Sequence, residues 1–138
     1  MISNNKTIDV VCAIIKHQNK ILVAKRSKNM PHAGFWEFPG GKIEPNETAQ
    51  QSLIREIKEE LGCQIDIVKP LPLFPYQYPD KEVVLHPFIC HLKNSLPRVI
   101  EHEEIEWFKL EEINDLQWLP ADIPIKDYVL KNNSIETV

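Results

Sequence analysis

The chain has 138 residues, 43% hydrophobic and 26% charged, with a formal net charge of −4. Those values fit one ordinary globular domain, residues 1–138, large enough to bury a full core. The acidic balance speaks against a protein that neutralises a phosphate backbone, so no stable nucleic-acid binding is expected, although a nucleotide bridged by metal ions is allowed.

The start, MISNNKTIDV, has no basic segment followed by an apolar one, and no apolar run approaches membrane-spanning length, so a cytoplasmic location without a membrane partner is expected. Ile8 to Lys16 is a β-branched run fit for a buried strand, His17 to Lys20 is turn-like, and Ile21 to Lys25 returns as the second arm of a hairpin. Ser27 to Gly34 has the composition of a loop and leads into a short aromatic strand, Phe35 to Pro39, ending at Gly40 and Gly41. Gln64 to Val68, Leu73 to Tyr78 and Val83 to Leu92 are further strand candidates; Pro87 within the last predicts an edge or a bulge. Glu104 to Phe108 is another short strand, Leu110 to Asp115 a helical turn or two, and Ala121 to Lys131 a closing helix with Asp122 as N-cap. Residues 132–138 show no clear periodicity. Cys12, Cys63 and Cys90 form no metal-type or disulfide-type pattern and are read as core residues.

The chemistry is concentrated in residues 41–63, GKIEPNETAQQSLIREIKEELGC. Leu53, Ile57 and Leu61 repeat at helical spacing and form an apolar stripe, with Ile54 beside them. Pro45, Asn46 and Glu47 suit the entrance of this helix and Gly62 its exit. Glu56, Glu59 and Glu60 stand at i, i+3 and i+4 on a different side, where like charges repel unless a cation sits against them. Oxygen-only ligands of this kind suit Mg²⁺ or Mn²⁺, although the same run read alone is an ordinary solvated helix face. Strands arriving mostly as hairpins with two main helices between them predict an α/β fold, a mixed sheet flanked by a helix on either side.

Through Gly41, Glu47, Arg55, Glu56, Ile57, Glu59, Glu60 and Gly62 the stretch resembles the box of the Nudix hydrolases; Cys63 stands where that box has an aliphatic residue. The resemblance implies the Nudix α/β/α sandwich and a Mg²⁺-dependent hydrolase acting on phosphoric anhydride bonds. Its implied metal ligands are the Gly40 carbonyl, Glu56, Glu59, Glu60 and, six residues before Trp107, Glu101, with Glu103 and Glu104 competing for that place. Arg55 and Glu47 are expected in one helix as an ion pair bracing the catalytic turn. Glu56 or Glu101 would deprotonate the attacking water.

FWEFPGGKIEP, Arg26 and LPADIP resemble the MutT-like branch, over about Asp9 to Leu130, which implies conversion of a nucleoside triphosphate to monophosphate and pyrophosphate. Arg26 and Lys42 are then candidates for phosphate contacts, and Phe38 and Trp118 for a base pocket or for core packing. Asp122 stands where the branch specific for 8-oxo-dGTP has asparagine. An ionised aspartate only accepts hydrogen bonds, so it would oppose O6 of guanine and welcome the amino group of cytosine; a protonated one could donate as well, and as a helix N-cap alone it would make no substrate contact. CTP or dCTP is therefore expected, with 8-oxo-dGTP and a pool-cleaning, mutation-avoiding role as the alternative. ADP-ribose hydrolysis and a non-catalytic nucleotide- or nucleic-acid-binding module are the rivals; the second would call for a degraded box and a basic face. Monomer and homodimer are both open.

Overall fold

The computed structural model describes residues 6–132; much of the MISNNKTIDV start and of the tail without periodicity falls outside them, in residues 1–5 and 133–138. The first β-branched run forms β1 (Lys6–His17), which is buried on both faces and so reads as continuous apolar sequence. Val11, Ala13 and Ile15 enter one core with Leu53, Ile57 and Leu61 of α1 (Ala49–Leu61). Cys12 and Ile14 enter a second core with Ile125 and Val129 of α2 (Ile123–Asn132). One helix on each face of a mixed sheet is the expected α/β/α arrangement.

β2 (Lys20–Lys25) returns from β1 through Gln18 and Asn19, whose φ values of 50° and 62° are the left-handed pair that a two-residue hairpin requires. β7 (Lys81–Lys93) runs parallel along one side of β1, from Lys6↔Lys81 to Lys16↔His91. The other side of β1 must then be shared. β2 takes Lys16 and His17, whereas β4 (Gly40–Lys42) takes Val10 to Cys12. The sheet therefore forks, and a cleft opens at the fork. Gly40 permits the close approach, since a Cβ there would run into the Val11 carbonyl. β3 (Trp36–Glu37) and β8 (Glu104–Lys109) pair with β2, and β5 (Gln64–Pro70) and β6 (Phe74–Gln77) pair with β7.

Three expectations are corrected. β7 is interior, so Pro87 is not on an edge. It sits where pairing passes from β6 to β5, its carbonyl accepts the Leu71 N–H at 2.9 Å, and its missing N–H faces that same gap; the irregularity lies in β5, between Ile67 and Lys69. The aromatic strand is only Trp36–Glu37. The helix entrance is Thr48: its Oγ1 accepts the Gln51 N–H at 3.1 Å, and Gln51 Oε1 accepts the Thr48 N–H at 2.9 Å. Gly62, with φ 63°, closes the helix as expected, and Ile54 stays 45% exposed.

Thr48 and Gln51 are exposed, so removing this cap tests the local interaction alone. Thr48→Ala should cost about 1 kcal/mol, lowering the midpoint of thermal unfolding by about 3 °C. An unchanged midpoint would mean that packing alone holds the helix.

Candidate active site

Arg55 organises the turn before α1. Its Nε donates to Glu47 Oε2 at 2.7 Å and its Nη2 to Glu47 Oε1 at 2.9 Å, a two-pronged pair. Nη2 also reaches the Lys42 carbonyl at 3.2 Å, and the buried Ser52 hydroxyl donates to the same carbonyl. Nη1 turns to Glu56 at 2.8 Å and more distantly to Glu59 at 3.3 Å. The hydrogen-bonded guanidinium holds the Glu47 carboxyl down at about 2. Glu47 precedes the helix that carries Arg55, so the pair links the turn to the helix instead of lying within it.

A cleft of about 460 Å³ opens beside this turn. Arg26, Phe38, Gly40, Lys42, Glu56, Glu60, Glu101 and Asp122, eight of the predicted site residues, line it together. Glu59 does not: its side chain is 54% exposed and turned to Arg55. Trp118 is also absent from the lining. It is buried behind Phe38, with ring centroids 4.8 Å apart and Nε1 donating to the Ile113 carbonyl at 2.7 Å, so it packs the core and supports the cleft wall.

Two carboxyl groups of the cleft, Glu60 and Asp122, are buried. Burial, hydrogen bonding with Glu56 and repulsion from Glu37, Glu56 and Glu101 push the Glu60 carboxyl far above its ordinary value. Asp122 is buried as well. Its Oδ2 accepts the Phe38 N–H at 2.9 Å, and burial, aided by Glu37, raises its pKa to about 8. Of the ionised and protonated forms that the sequence leaves open, burial favours the neutral acid. Its hydrogen bond runs across the cleft wall to β-strand neighbour Phe38, so the carboxyl serves the cleft and not simply the start of α2.

Two cleft groups escaped sequence reasoning. Glu37, between two aromatic residues of the short strand, accepts Arg26 Nη1 at 2.7 Å and faces His102 Nε2 at 2.8 Å. Tyr78, beneath the Lys81 ammonium, lines the mouth. An acidic residue among buried aromatics was the available signal for the first.

The donor set fits a hard divalent cation. Glu60 Oε2 is buried without a hydrogen-bond partner, and Gly41 brings its backbone against the Glu56 carboxylate so closely that a Cβ would collide. As placed, no three His, Cys, Asp or Glu side chains among the described residues converge tightly enough to enclose an ion, and Arg55 draws Glu56 and Glu59 to itself. All the candidate donors are nonetheless oxygens, of the kind Mg²⁺ and Mn²⁺ prefer.

In sequence and fold the chain is one of the hydrolases that act on phosphoric anhydride bonds. It belongs to the NUDIX domain family, whose sequence model matches residues 5–129. It is 36% identical over 120 residues to a CTP pyrophosphohydrolase of Escherichia coli K12, covering 87% of this chain and 89% of that one. It is also 36% identical over 96 residues to an 8-oxo-dGTP diphosphatase of Proteus vulgaris, covering 67% of this chain and 85% of the relative. The solution structure of the E. coli ORF135 protein superposes with a TM-score of 0.82 at 33% identity, over 96% of this chain and 94% of that one. Members of the family generally use divalent cations such as Mg²⁺. Among the described residues no helix is long and apolar enough to cross a membrane.

Because Glu60 resists ionisation in the fold, stability is fully present below the ordinary carboxyl pKa and declines as pH rises toward the raised one. Metal-free Glu60→Gln should therefore melt above the wild type at neutral pH, by about 2–5 °C, and should gain less from added Mg²⁺. Equal midpoints and equal Mg²⁺ shifts would remove Glu60 from the cation site.

Proposed function

We propose that the protein is a Mg²⁺-dependent nucleoside triphosphate pyrophosphohydrolase, releasing a nucleoside monophosphate and pyrophosphate, with a preference for cytidine nucleotides. The observation that carries this reading is a single cleft lined by both the helix glutamates and Asp122. Acid–base chemistry and base recognition then act on one bound molecule.

Glu56, Glu60, Glu101 and the Gly40 carbonyl, with Glu59 beside them, would hold the cations, which neutralise phosphate oxygens and acidify a bound water. Glu56 or the more exposed Glu101 accepts the proton of the water that attacks the β-phosphorus. Lys42 and Arg26 offer positive charge to the polyphosphate. Arg26 is already oriented, its Nε donating to the Pro31 carbonyl at 2.6 Å and its Nη1 to Glu37. Arg55 and Glu47 brace the turn and touch no reacting atom.

Asp122 reads the base in both protonation states. The neutral acid can donate to N3 of cytosine while accepting from its amino group, and equally donate to O6 and accept from N7–H of 8-oxoguanine. The carboxylate keeps the accepted bond, from the cytosine amino group or from N7–H of 8-oxoguanine, and loses the donated one to N3 or O6. The E. coli CTP pyrophosphohydrolase supports the cytidine reading. The neutral acid at pH 7, together with the Proteus relative, favours 8-oxo-dGTP as the second reading.

The test is kcat/KM for CTP, dCTP, 8-oxo-dGTP and ADP-ribose with Mg²⁺, products separated by chromatography, at pH values about one unit either side of the Asp122 pKa of about 8. The expected products are cytidine monophosphate and pyrophosphate. The kcat/KM values for CTP and for 8-oxo-dGTP should each fall roughly tenfold on passing to the higher pH, consistent with the loss of one donated hydrogen bond of about 1–3 kcal/mol. In Asp122→Asn, whose amide donates and accepts at every pH, that pH dependence should disappear. A preference for ADP-ribose would overturn the substrate class, and wild-type kcat/KM values equal at the two pH values would overturn the role of Asp122.

A further inference from the structure

The loop between β7 and β8 carries Glu101, and it is pinned at both ends. On one side the Arg98 N–H donates to the Leu61 carbonyl at 2.7 Å, and the Arg98 guanidinium lies over Gly62 at the end of α1. On the other, the Glu103 N–H donates to the Lys25 carbonyl at 2.9 Å and the Glu103 carboxylate meets Lys25 Nζ at 3.2 Å. Between those pins Glu101 and Glu103 are exposed, while His102 turns inward and is 4% exposed.

The imidazole enters a polar environment. Nε2 lies 2.8 Å from Glu37 Oε2 and 3.7 Å from Glu60 Oε1, and Glu37 uses its other oxygen to accept Arg26. Nδ1 has no hydrogen-bond partner, and Glu60 Oε2 shares that condition. A buried ring with an unpartnered nitrogen is a poor space-filler, since an apolar side chain would occupy the place without that cost. The useful contacts are those of Nε2. The bond to Glu37 fixes the backbone one residue from Glu101 and sets the ring edge beside Glu60 Oε1, at 3.7 Å, while Glu60 Oε2 is left for a ligand.

We infer that His102 is a positioning residue, which holds Glu101 of the loop in register with Glu60 of the helix by anchoring the loop to the Arg26–Glu37 pair beside Glu60. The inference rests on the functional reading above, in which those two carboxylates serve a divalent cation. The loop and the helix come from separate stretches of chain, and neither Lys25 nor Arg98 contacts Glu60 in a way that would set their mutual distance. Arg98 ties the start of the loop to the end of the helix, and His102 is the loop side chain that reaches Glu60 itself. Arg26 also keeps its bond to the Pro31 carbonyl, so losing His102 should disturb the carboxylates more than substrate affinity.

Two polar variants separate positioning from folding. In His102→Gln the side-chain amide nitrogen reaches the place of Nε2; in His102→Asn it stops near Nδ1 and misses Glu37. For His102→Asn the Kd of Mn²⁺ alone, read by electron paramagnetic resonance on substrate-free protein, should weaken about tenfold. Its kcat for CTP should fall about 100-fold, the scale of a roughly 1 Å misplacement, with KM within about threefold. His102→Gln should recover at least about tenfold of that kcat and most of the Mn²⁺ affinity. Equal values for the two variants, or wild-type values for His102→Asn, would overturn the role. If His102→Asn does not fold, His102→Gln is compared with the wild type alone: near-wild-type Mn²⁺ affinity supports the role, and a loss as large as that expected for Asn overturns it. Should the wild type bind Mn²⁺ yet hydrolyse no nucleotide, the functional reading fails, and the Mn²⁺ measurement still decides on His102.

Discussion

The guanidinium of Arg55 is the contact on which the site depends. Glu47 in the turn, Glu56 and Glu59 on the helix and the Lys42 carbonyl on β4 all converge on its three nitrogens. No ammonium can replace it, because a planar fork is needed to hold both Glu47 oxygens while leaving a nitrogen for Glu56. With three carboxylates around one cation, the turn gains a fixed geometry that its glutamates alone would oppose by repulsion.

That clasp matters because of where the sheet places it. β7 occupies one side of β1, so β2 and β4 divide the other, and β4 delivers Gly40 and Gly41 directly against α1. Gly41 tolerates the Glu56 carboxylate only because it has no Cβ. Packing, backbone and charge thus agree at one point: the apolar stripe of α1 fills a core while its acidic side borders the cleft.

Much of this was legible in the sequence, for local reasons. The helix, its Gly62 exit, the first hairpin and the glutamates follow from periodicity, spacing and turn chemistry, which need no tertiary information. Pro87 was misjudged because a proline in an interior strand is tolerated only where two partner strands leave a gap, and no local pattern announces a gap between strands formed elsewhere. Glu47 was misplaced by two residues' difference in where Thr48 caps the helix. Glu59 shares a helix face with its neighbours, yet Arg55 turns it out of the cleft. Trp118 and Phe38 looked alike as aromatic candidates, and only the packing of one ring behind the other separates wall from support. Asp122 was readable as a cleft candidate, but which protonation state burial favours was not, since its pKa depends on burial and on Glu37, both brought by distant segments. His102 was hidden for the same reason: its acidic run reads as a solvated loop, and its inward turn depends on Glu37 and Glu60 being there to meet it.

The central measurement is Arg55→Lys, which keeps the charge and removes the fork. A stable, folded variant whose kcat for its best nucleotide falls at least about 100-fold, with Mn²⁺ bound more weakly, is the outcome required if the guanidinium fixes the carboxylates in place. Wild-type kcat and Mn²⁺ affinity in that variant would contradict it, and would mean that the glutamates find their positions without Arg55.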